Sequence, residues 1–153
     1  MFKKIMVCLD GSMLAEQILP YAKEEALRFK SKLILLHVST IPTFMAPGVP
    51  GASGGPIHTK GEIEREQKDE RLSQNYLEQM AKPLRSAGIK VDCMVLAGMP
   101  GESIVNYAET EGIELIAIAT HGRSGVRRLI FGSVADFVLR NSHLPILLIK
   151  PTP

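Results

Sequence analysis

Five short runs of apolar residues constrain the fold of this chain more than any other feature. They lie at residues 5–9, 33–38, 89–97, 115–119 and 146–149. A strand is apolar along its whole length when both faces of its sheet are covered, as in a parallel sheet. Segments with helical spacing of apolar residues separate the runs, at 12–29, 62–87, 102–111 and 133–141. This alternation predicts an open α/β domain with helices on both faces of a parallel sheet.

Local signals refine the helical segments. Ser12 is a suitable N-cap for the first helix, and Pro20 inside that segment predicts a kink because proline removes one hydrogen bond of the helix. The long charged segment 62–87 has its expected inner stripe at Tyr76, Met80 and Leu84.

Length and composition indicate one ordinary globular domain, residues 1–153. Hydrophobic residues make up 45% of the chain, charged residues 22%, and the net charge is +2. So small a net charge gives no bulk electrostatic reason to expect nucleic acid or a membrane as a partner. The first apolar run is too short for a secretory signal, and Cys8 and Cys93 lie in apolar runs typical of buried free thiols. We therefore expect a cytoplasmic protein.

Residues 40–61 form the one irregular stretch, rich in Gly and Pro. Connections of this length are uncommon in compact domains, and they are usually lids, binding loops or disordered segments. We expect this loop to be mobile, and the sequence leaves open whether it closes over a ligand.

The segment from Ala119 to Ser133 has the composition of a phosphate site. It contains His121-Gly122-Arg123 directly after an apolar run, and Gly132-Ser133 at the start of a helical segment. Glycines let the backbone approach a ligand, and unpaired amides at a helix start attract an anion. With Arg127 and Arg128 close by, the segment predicts a pocket for a phosphate-bearing ligand.

A second polar turn, beginning at Asp10, follows the first apolar run. Ligands of open α/β sheets bind beyond the carboxyl ends of strands where strand order reverses. If strands one and four are neighbours, Asp10 faces the His121 loop and accepts from a ribose or a base, or assists a phosphate-bound metal. The alternative is that Asp10 only caps the first helix with Ser12. Of the four histidines, we expect only His121 near a ligand.

Known phosphate fingerprints are absent from the sequence. It contains neither G-x-x-x-x-G-K-[ST] nor a G-x-G-x-x-G after the first strand. The final apolar run, with its flanking residues Pro145 and Lys150, is expected at a sheet edge. An apolar edge invites pairing with a second copy of the chain, which predicts a homodimer through residues 145–150. The alternative is that a loop or helix covers the edge.

In combination, the motifs of this chain resemble those of the universal stress protein family over nearly its whole length. The matching segments are V-C-L-D-G-S at 7–12, L-H-V at 36–38, G-M-P-G-E at 98–102, T-H-G-R-S-G at 120–125, F-G-S-V at 131–134 and P-I-L-L-I at 145–149. The resemblance implies a five-stranded sheet of order 3-2-1-4-5, an adenine nucleotide alpha hydrolase-like fold, and a dimer through the last strand.

One branch of that family binds ATP through G-x-x-G, nine residues and G-[ST]. Here Gly122, the nine residues 123–131 and Gly132-Ser133 fit this pattern, whereas Ala119 replaces the first glycine. The methyl group of Ala119 either crowds the nucleotide or is accommodated. By position, the resemblance implies an ATP site, with Mg²⁺ or Mn²⁺ left open, made of Leu9, Asp10, Val38, Ala119, His121, Gly122, Arg123, Gly132, Ser133 and Val134.

The expected function is that of a nucleotide-dependent regulator in the stress response. A slow ATP hydrolase is a second hypothesis, for which Asp10 is the one candidate carboxylate. A phosphoacceptor domain fits poorly, because that chemistry needs an acidic pair after the first strand. A dimeric interaction protein without nucleotide is the remaining alternative, and Ala119 keeps it open.

Overall fold

The computed structural model describes residues 1–40, 59–120 and 132–152. Strands and helices alternate along the chain as predicted from the apolar runs. In order they are β1 Lys4–Cys8, α1 Met13–Glu16, α2 Leu19–Phe29, β2 Lys32–Ser39, α3 Lys60–Ser86, β3 Val91–Ala97, α4 Pro100–Thr110, β4 Leu115–Ala119, α5 Ser133–Asn141 and β5 Ile146–Ile149.

The strands form one parallel sheet of order β3-β2-β1-β4-β5. The predicted order 3-2-1-4-5 is therefore confirmed. Strand β1 lies at the centre between β2 and β4, so the chain winds outward in one direction to β3 and in the other to β5. The reversal of direction opens a crevice between the carboxyl ends of β1 and β4.

Two apolar cores lie on opposite faces of the sheet, since successive side chains of a strand alternate between them. Ile5, Val7 and Leu9 pack with the buried residues of α2 and α3, which we call the α2–α3 face. Met6 and Cys8 pack with the buried residues of α4 and α5, which we call the α4–α5 face. Helices thus cover both faces, as predicted.

The first helical segment differs from its prediction. It is divided into α1 and α2 at Gln17 and Ile18, and it does not form one helix kinked at Pro20. Pro20 lies in the first turn of α2, where a missing backbone N–H costs no hydrogen bond within the helix.

Helix α3 begins earlier than predicted, at Lys60, so the last residues of the expected loop 40–61 are helical. Thr59 and Glu62 form a capping box that fixes this start. The buried stripe is Leu77, Ala81 and Leu84, one position beyond the predicted Tyr76 and Met80, which are partly buried. The predicted mobility of residues 41–58 falls outside the described part of the chain.

Strand β5 is an edge strand, as predicted from its sequence. Both cysteines are free thiols; Cys8 is buried as predicted, whereas Cys93 is only partly buried. Among the described residues, no helix is both long and apolar enough to span a bilayer.

Candidate functional site

A cleft of about 340 Å³ lies at the crevice between the carboxyl ends of β1 and β4. This volume is within the range of small-molecule sites, roughly 300–1,000 Å³. The cleft opens on the α4–α5 face: Cys8, Leu36 and Ile118 of that core line it together with the starts of α4 and α5. The fold therefore places a ligand-sized cavity where the reversal of strand order predicts one.

Seven of the ten predicted site residues line this single cleft. They are Leu9, Asp10, Val38, Ala119, Gly132, Ser133 and Val134. They come from segments far apart in sequence, and the pairing of β1 with β2 and β4 brings them together. The other three, His121, Gly122 and Arg123, lie outside the described residues.

Asp10 is held in a tight turn at the mouth of the cleft. Its Oδ1 accepts from the Ser12 amide over 2.9 Å and from the Ser12 hydroxyl over 2.6 Å. Ser12 in turn caps α1 by accepting from the Ala15 amide over 3.1 Å. Gly11 between them has φ of +84°, a conformation that residues with a side chain rarely adopt. Asp10 thus supports the helix cap, as the second interpretation expected, and its place in the cleft lining leaves the ligand role open to it.

Helix α5 begins in the opposite wall of the cleft. Ser133, Val134 and Ala135 form its first turn and line the cavity. The amides of a first helical turn have no partner within the helix, and the helix dipole adds positive potential there. Among the described residues, no side chain caps this helix start.

The Gly132 amide was predicted to be unpaired, but it forms a hydrogen bond. It donates to the Thr120 carbonyl oxygen over 2.5 Å, so it is not an unpaired donor for an anion. This bond ties the start of α5 to the end of β4. An anion at this position would be held by the amides that follow Gly132.

His37 also lines the cleft, although only His121 was expected near a ligand. A carbonyl oxygen only accepts, so His37 Nδ1 carries a proton and donates it to the Leu9 carbonyl over 2.9 Å. The imidazole ring lies edge-on to Tyr76 with centroids 6.4 Å apart. The signal available in the sequence was the position of His37 near the carboxyl end of a strand adjacent to β1.

Tyr76 links helix α3 to the Asp10 turn. Its hydroxyl donates to Glu16 Oε1 over 3.0 Å, at the end of the short helix that Ser12 caps. Burial raises the pKa of Tyr76 above its usual value, and the Glu16 carboxylate raises it further. The hydroxyl therefore stays protonated and remains a donor at neutral pH.

The cleft also has an apolar wall, which was not recognisable from the sequence. Pro100 and Ile104 from the start of α4 lie beside Ile118, Leu36 and Val38 in the lining. An isoleucine at helical spacing has the same pattern whether it packs in a core or borders a ligand. Such a wall suits a flat apolar group such as a nucleobase.

Ala119 is the last residue of β4, aligned with Ile149 of β5, and it is 8% exposed. It lines the cleft. The cavity of about 340 Å³ therefore exists with alanine at this position.

The described lining carries little charge. It includes one acidic side chain, Asp10, and neither lysine nor arginine. Within the described residues, no cluster of three or more His, Cys, Asp or Glu side chains is arranged to hold a metal. Positive potential in this part of the cleft comes from the start of α5.

Cys8 lies on the floor of the cleft. Burial raises the pKa of its thiol to about 12, well above the ordinary value of 9.0. Since the thiolate is the reactive form, this thiol is a neutral packing group at physiological pH.

This parallel sheet of order 3-2-1-4-5, with helices on both faces and a cleft at its β1–β4 crevice, has the nucleotide alpha hydrolase-like fold. Residues 1–150 match the model of the universal stress protein family. The chain belongs to the universal stress protein family, as its sequence motifs indicated.

Curated relatives match along nearly the whole chain. Universal stress protein MJ0577 of Methanocaldococcus jannaschii is 30% identical over 98% of this chain and 96% of its own length. Universal stress protein YxiE of Bacillus subtilis is 29% identical over 98% of this chain and all of its own.

Solved structures of the family share the fold. The structure of MJ0577 matches with a TM-score of 0.82 at 30% identity, covering 100% of this chain and 99% of that one. A universal stress protein in complex with cAMP has a TM-score of 0.66 at 18% identity and covers 99% and 98% of the two chains. One from Archaeoglobus fulgidus in complex with dAMP has a TM-score of 0.63 at 23% identity and covers 97% and 98%.

Proposed function

We propose that this protein binds an adenine nucleotide, with ATP as the leading ligand, in the cleft between β1 and β4. The observation that carries the proposal is the meeting of Asp10, the start of α5 and an apolar wall around one cavity. A nucleotide needs an apolar surface for its base, an acceptor for its ribose hydroxyls and donors for its phosphates. The cleft offers all three.

The base would lie against the apolar part of the lining. Val38 is half-buried at the end of β2, and Ile104 and Ile118 are buried beside it. Burial of a flat ring against such groups is favourable at roughly 25 cal/mol per Å² of apolar area removed from water. These groups provide affinity, while polar groups at the edge of the cavity orient the ligand.

Ribose and phosphates would lie between Asp10 and α5. The carboxylate of Asp10 is oriented by Ser12, so it is prepared to accept a hydrogen bond from a hydroxyl group. The amides of Ser133, Val134 and Ala135 stand at a helix start, where an anion is stabilised. His121, Gly122 and Arg123 are proposed to contribute to the same phosphate site on the strength of their sequence positions.

Mg²⁺ or Mn²⁺ would be held mainly by the nucleotide. Asp10 is the one carboxylate of the described lining, and Mg²⁺ commonly takes one or two carboxylates together with substrate phosphates and water. A single carboxylate supports binding more than hydrolysis, which needs both a positioned base and metal ligands.

Relatives of the same fold support an adenine ligand. One universal stress protein structure holds cAMP and another holds dAMP. Both ligands share the adenine ring and one phosphate, the two groups for which the cleft offers an apolar wall and a helix start. The length of the phosphate chain that this protein accepts is the part of the proposal that needs measurement.

We further propose that the protein is a cytoplasmic homodimer that acts as a nucleotide-dependent regulator in the stress response. Two free thiols suit a reducing compartment. β5 is an apolar edge strand, and pairing with a second copy would satisfy its open side. A dimeric interaction protein without nucleotide is the competing function, supported by the same edge.

Isothermal titration calorimetry with ATP, AMP and GTP tests the proposal. We expect ATP to bind the wild-type protein, and Asp10→Asn to weaken binding by about tenfold because a neutral amide is a poorer acceptor. Asp92→Asn is the matched control, since Asp92 is exposed on β3 and forms a surface ion pair with Lys32. No heat from wild-type protein with any adenine nucleotide up to millimolar concentration would refute the proposal and favour the interaction protein.

A further inference from the structure

Helices α4 and α5 both contribute residues to the wall of the cleft, and they pack against each other. Pro100 and Ile104 belong to α4, and Ser133 and Val134 belong to α5. Gly101 of α4 meets Phe137 of α5 where these helices pack against each other. The position of this contact is what makes it relevant to ligand binding.

The Gly101–Phe137 contact leaves no room for a side chain on α4. A Cβ added at Gly101 would lie 2.7 Å from both Cγ and Cδ1 of the Phe137 ring, and 3.0 Å from its Cβ. Carbon atoms in van der Waals contact are roughly 3.5–4.0 Å apart. A new Phe137 rotamer would move Cγ and Cδ1 but not Cβ, so the contact with Cβ is relieved only by a shift of the helices.

Gly101 and Phe137 each lie within one helical turn of residues that line the cleft. Gly101 is adjacent to Pro100 and one helical turn before Ile104, and Phe137 is one turn after Val134. A displacement at the contact is therefore passed directly to both walls. Rigid helices transmit such a shift because protein interiors are close-packed and resist local compression.

Glycine at this position also has a local cost. It is the second residue of α4, and glycine inside a helix is less favourable than alanine because it loses more conformational freedom. Close approach of α5 gives a physical reason for a glycine here.

We propose that the contact between Gly101 and Phe137 determines the width of the cleft. The two residues thereby act together to position the nucleotide. This inference rests on the proposed nucleotide site and assigns the fit of that site to a contact outside its lining. Neither residue lines the cleft.

A double-mutant cycle tests the proposal. ATP affinity is measured for each variant by isothermal titration calorimetry, at a temperature where every variant is folded. Gly101→Ala is expected to weaken ATP binding by about tenfold, because overpacking displaces one wall. In the background of Phe137→Ala the same change is expected to leave binding unchanged or to improve it. The ring atoms that it would overlap are then gone, and the new methyl group fills part of their space.

Gly61→Ala is the matched control. Gly61 is also the second residue of its helix, α3, but a Cβ added there meets nothing within 4 Å. We expect this variant to bind ATP with the wild-type affinity. It separates the general effect of alanine in a first helical turn from the effect of the α4–α5 contact.

The possible failures are distinguishable. If the wild-type protein binds no ATP, the nucleotide site is wrong and this inference falls with it. If the wild-type protein binds and Gly101→Ala binds equally well, or loses the same factor in both backgrounds, only the pairing of Gly101 with Phe137 is refuted. Should Gly101→Ala fail to fold, the comparison of Phe137→Ala with the double variant decides, and weaker binding by the double variant overturns the proposal.

Discussion

The two faces of the sheet are built from the same strands but differ in how tightly they are closed. On the α2–α3 face, Leu77, Ala81 and Leu84 of a 27-residue helix seal the strands with fully or nearly fully buried side chains. On the α4–α5 face, two short helices of 11 and 9 residues begin near the carboxyl ends of the strands. A cavity lies between their starts and the sheet.

The difference teaches how one fold separates stability from binding. The closed face stabilises the fold through continuous apolar burial. A face that binds a ligand must instead leave space for it and present the starts of its helices to that space. The Asp10 turn lies between the two, since it lines the cleft and is connected through Ser12, α1 and Glu16 to Tyr76 of α3. Changes on the sealed face should affect stability, and changes at the cleft should affect affinity.

The largest expected effect is on the sealed face. Leu77→Ala removes a side chain that is 0% exposed and should lower the free energy of unfolding by about 3 kcal/mol, through lost burial and the cavity left behind. Urea unfolding followed by circular dichroism measures it. Leu72→Ala, at an exposed position of the same helix, is the control. A loss below about 1 kcal/mol at Leu77 would show that this face is less tightly packed than described.

The next effect concerns the cleft floor and depends on pH. Folding raises the pKa of Cys8 from 9.0 to about 12, so the folded protein retains a proton that the unfolded chain releases. Stability is then full below about pH 9 and falls as pH rises, by up to ~1.4 kcal/mol per pH unit. Unfolding measured between about pH 9 and pH 11 should have a steeper slope in the wild-type protein than in Cys8→Ala. Equal slopes would show that the thiol is accessible to solvent.

A smaller change tests the link between the faces. Tyr76→Phe removes the hydroxyl that donates to Glu16 and should lower the free energy of unfolding by about 1 kcal/mol, with ATP affinity changed less than about threefold. Tyr21→Phe, at a residue that is 55% exposed, is the matched control in both assays. A large loss of ATP affinity in Tyr76→Phe alone would assign this tyrosine to the binding site and would blur the distinction between the faces.

Ala119→Gly should have a small effect on both binding and stability. The cleft exists with alanine at position 119, so removal of the methyl group is expected to raise ATP affinity by less than about threefold while weakening β4 by about 0.5–1 kcal/mol. Calorimetry with ATP measures the first effect and thermal unfolding the second. A gain in affinity of about a hundredfold would mean that alanine closes the site, which favours the interaction protein over the nucleotide-binding regulator.

Much of the architecture was predictable from local pattern. Fully apolar runs identify strands covered on both faces, and the resemblance to a family supplied their order. The division of the first helix was not predictable from Pro20. A proline fits the first turn of a new helix and disrupts the interior of a longer one, and the sequence alone does not distinguish these cases. The start of α3 at Lys60 depends on reciprocal hydrogen bonds between Thr59 and Glu62. This capping box has a sequence signature, but it was overlooked because the residues before it are rich in Gly and Pro.

The residues of the candidate site that belong to sequence motifs were predictable. Those that reach the site through tertiary packing were not. Asp10 and Ser133 follow strand ends or begin helices, so sequence position alone brings them to the crevice. Ile104 carries the same periodic pattern as a core residue, and the contact between Gly101 and Phe137 joins residues far apart in the chain. The amide of Gly132 was predicted to be unpaired, but the pairing of donors at a helix start depends on the neighbouring strand, here Thr120.

Backbone amide NMR during a titration with ATP tests the central claim most directly, since it reports on both faces of the sheet in one experiment. The nucleotide-binding account predicts saturable shifts concentrated at Leu9, Asp10, Val38 and the first turn of α5, with the Leu77 and Ala81 amides of α3 nearly unmoved. Saturable shifts centred on the α2–α3 face, or a spectrum unchanged by millimolar ATP, would contradict it.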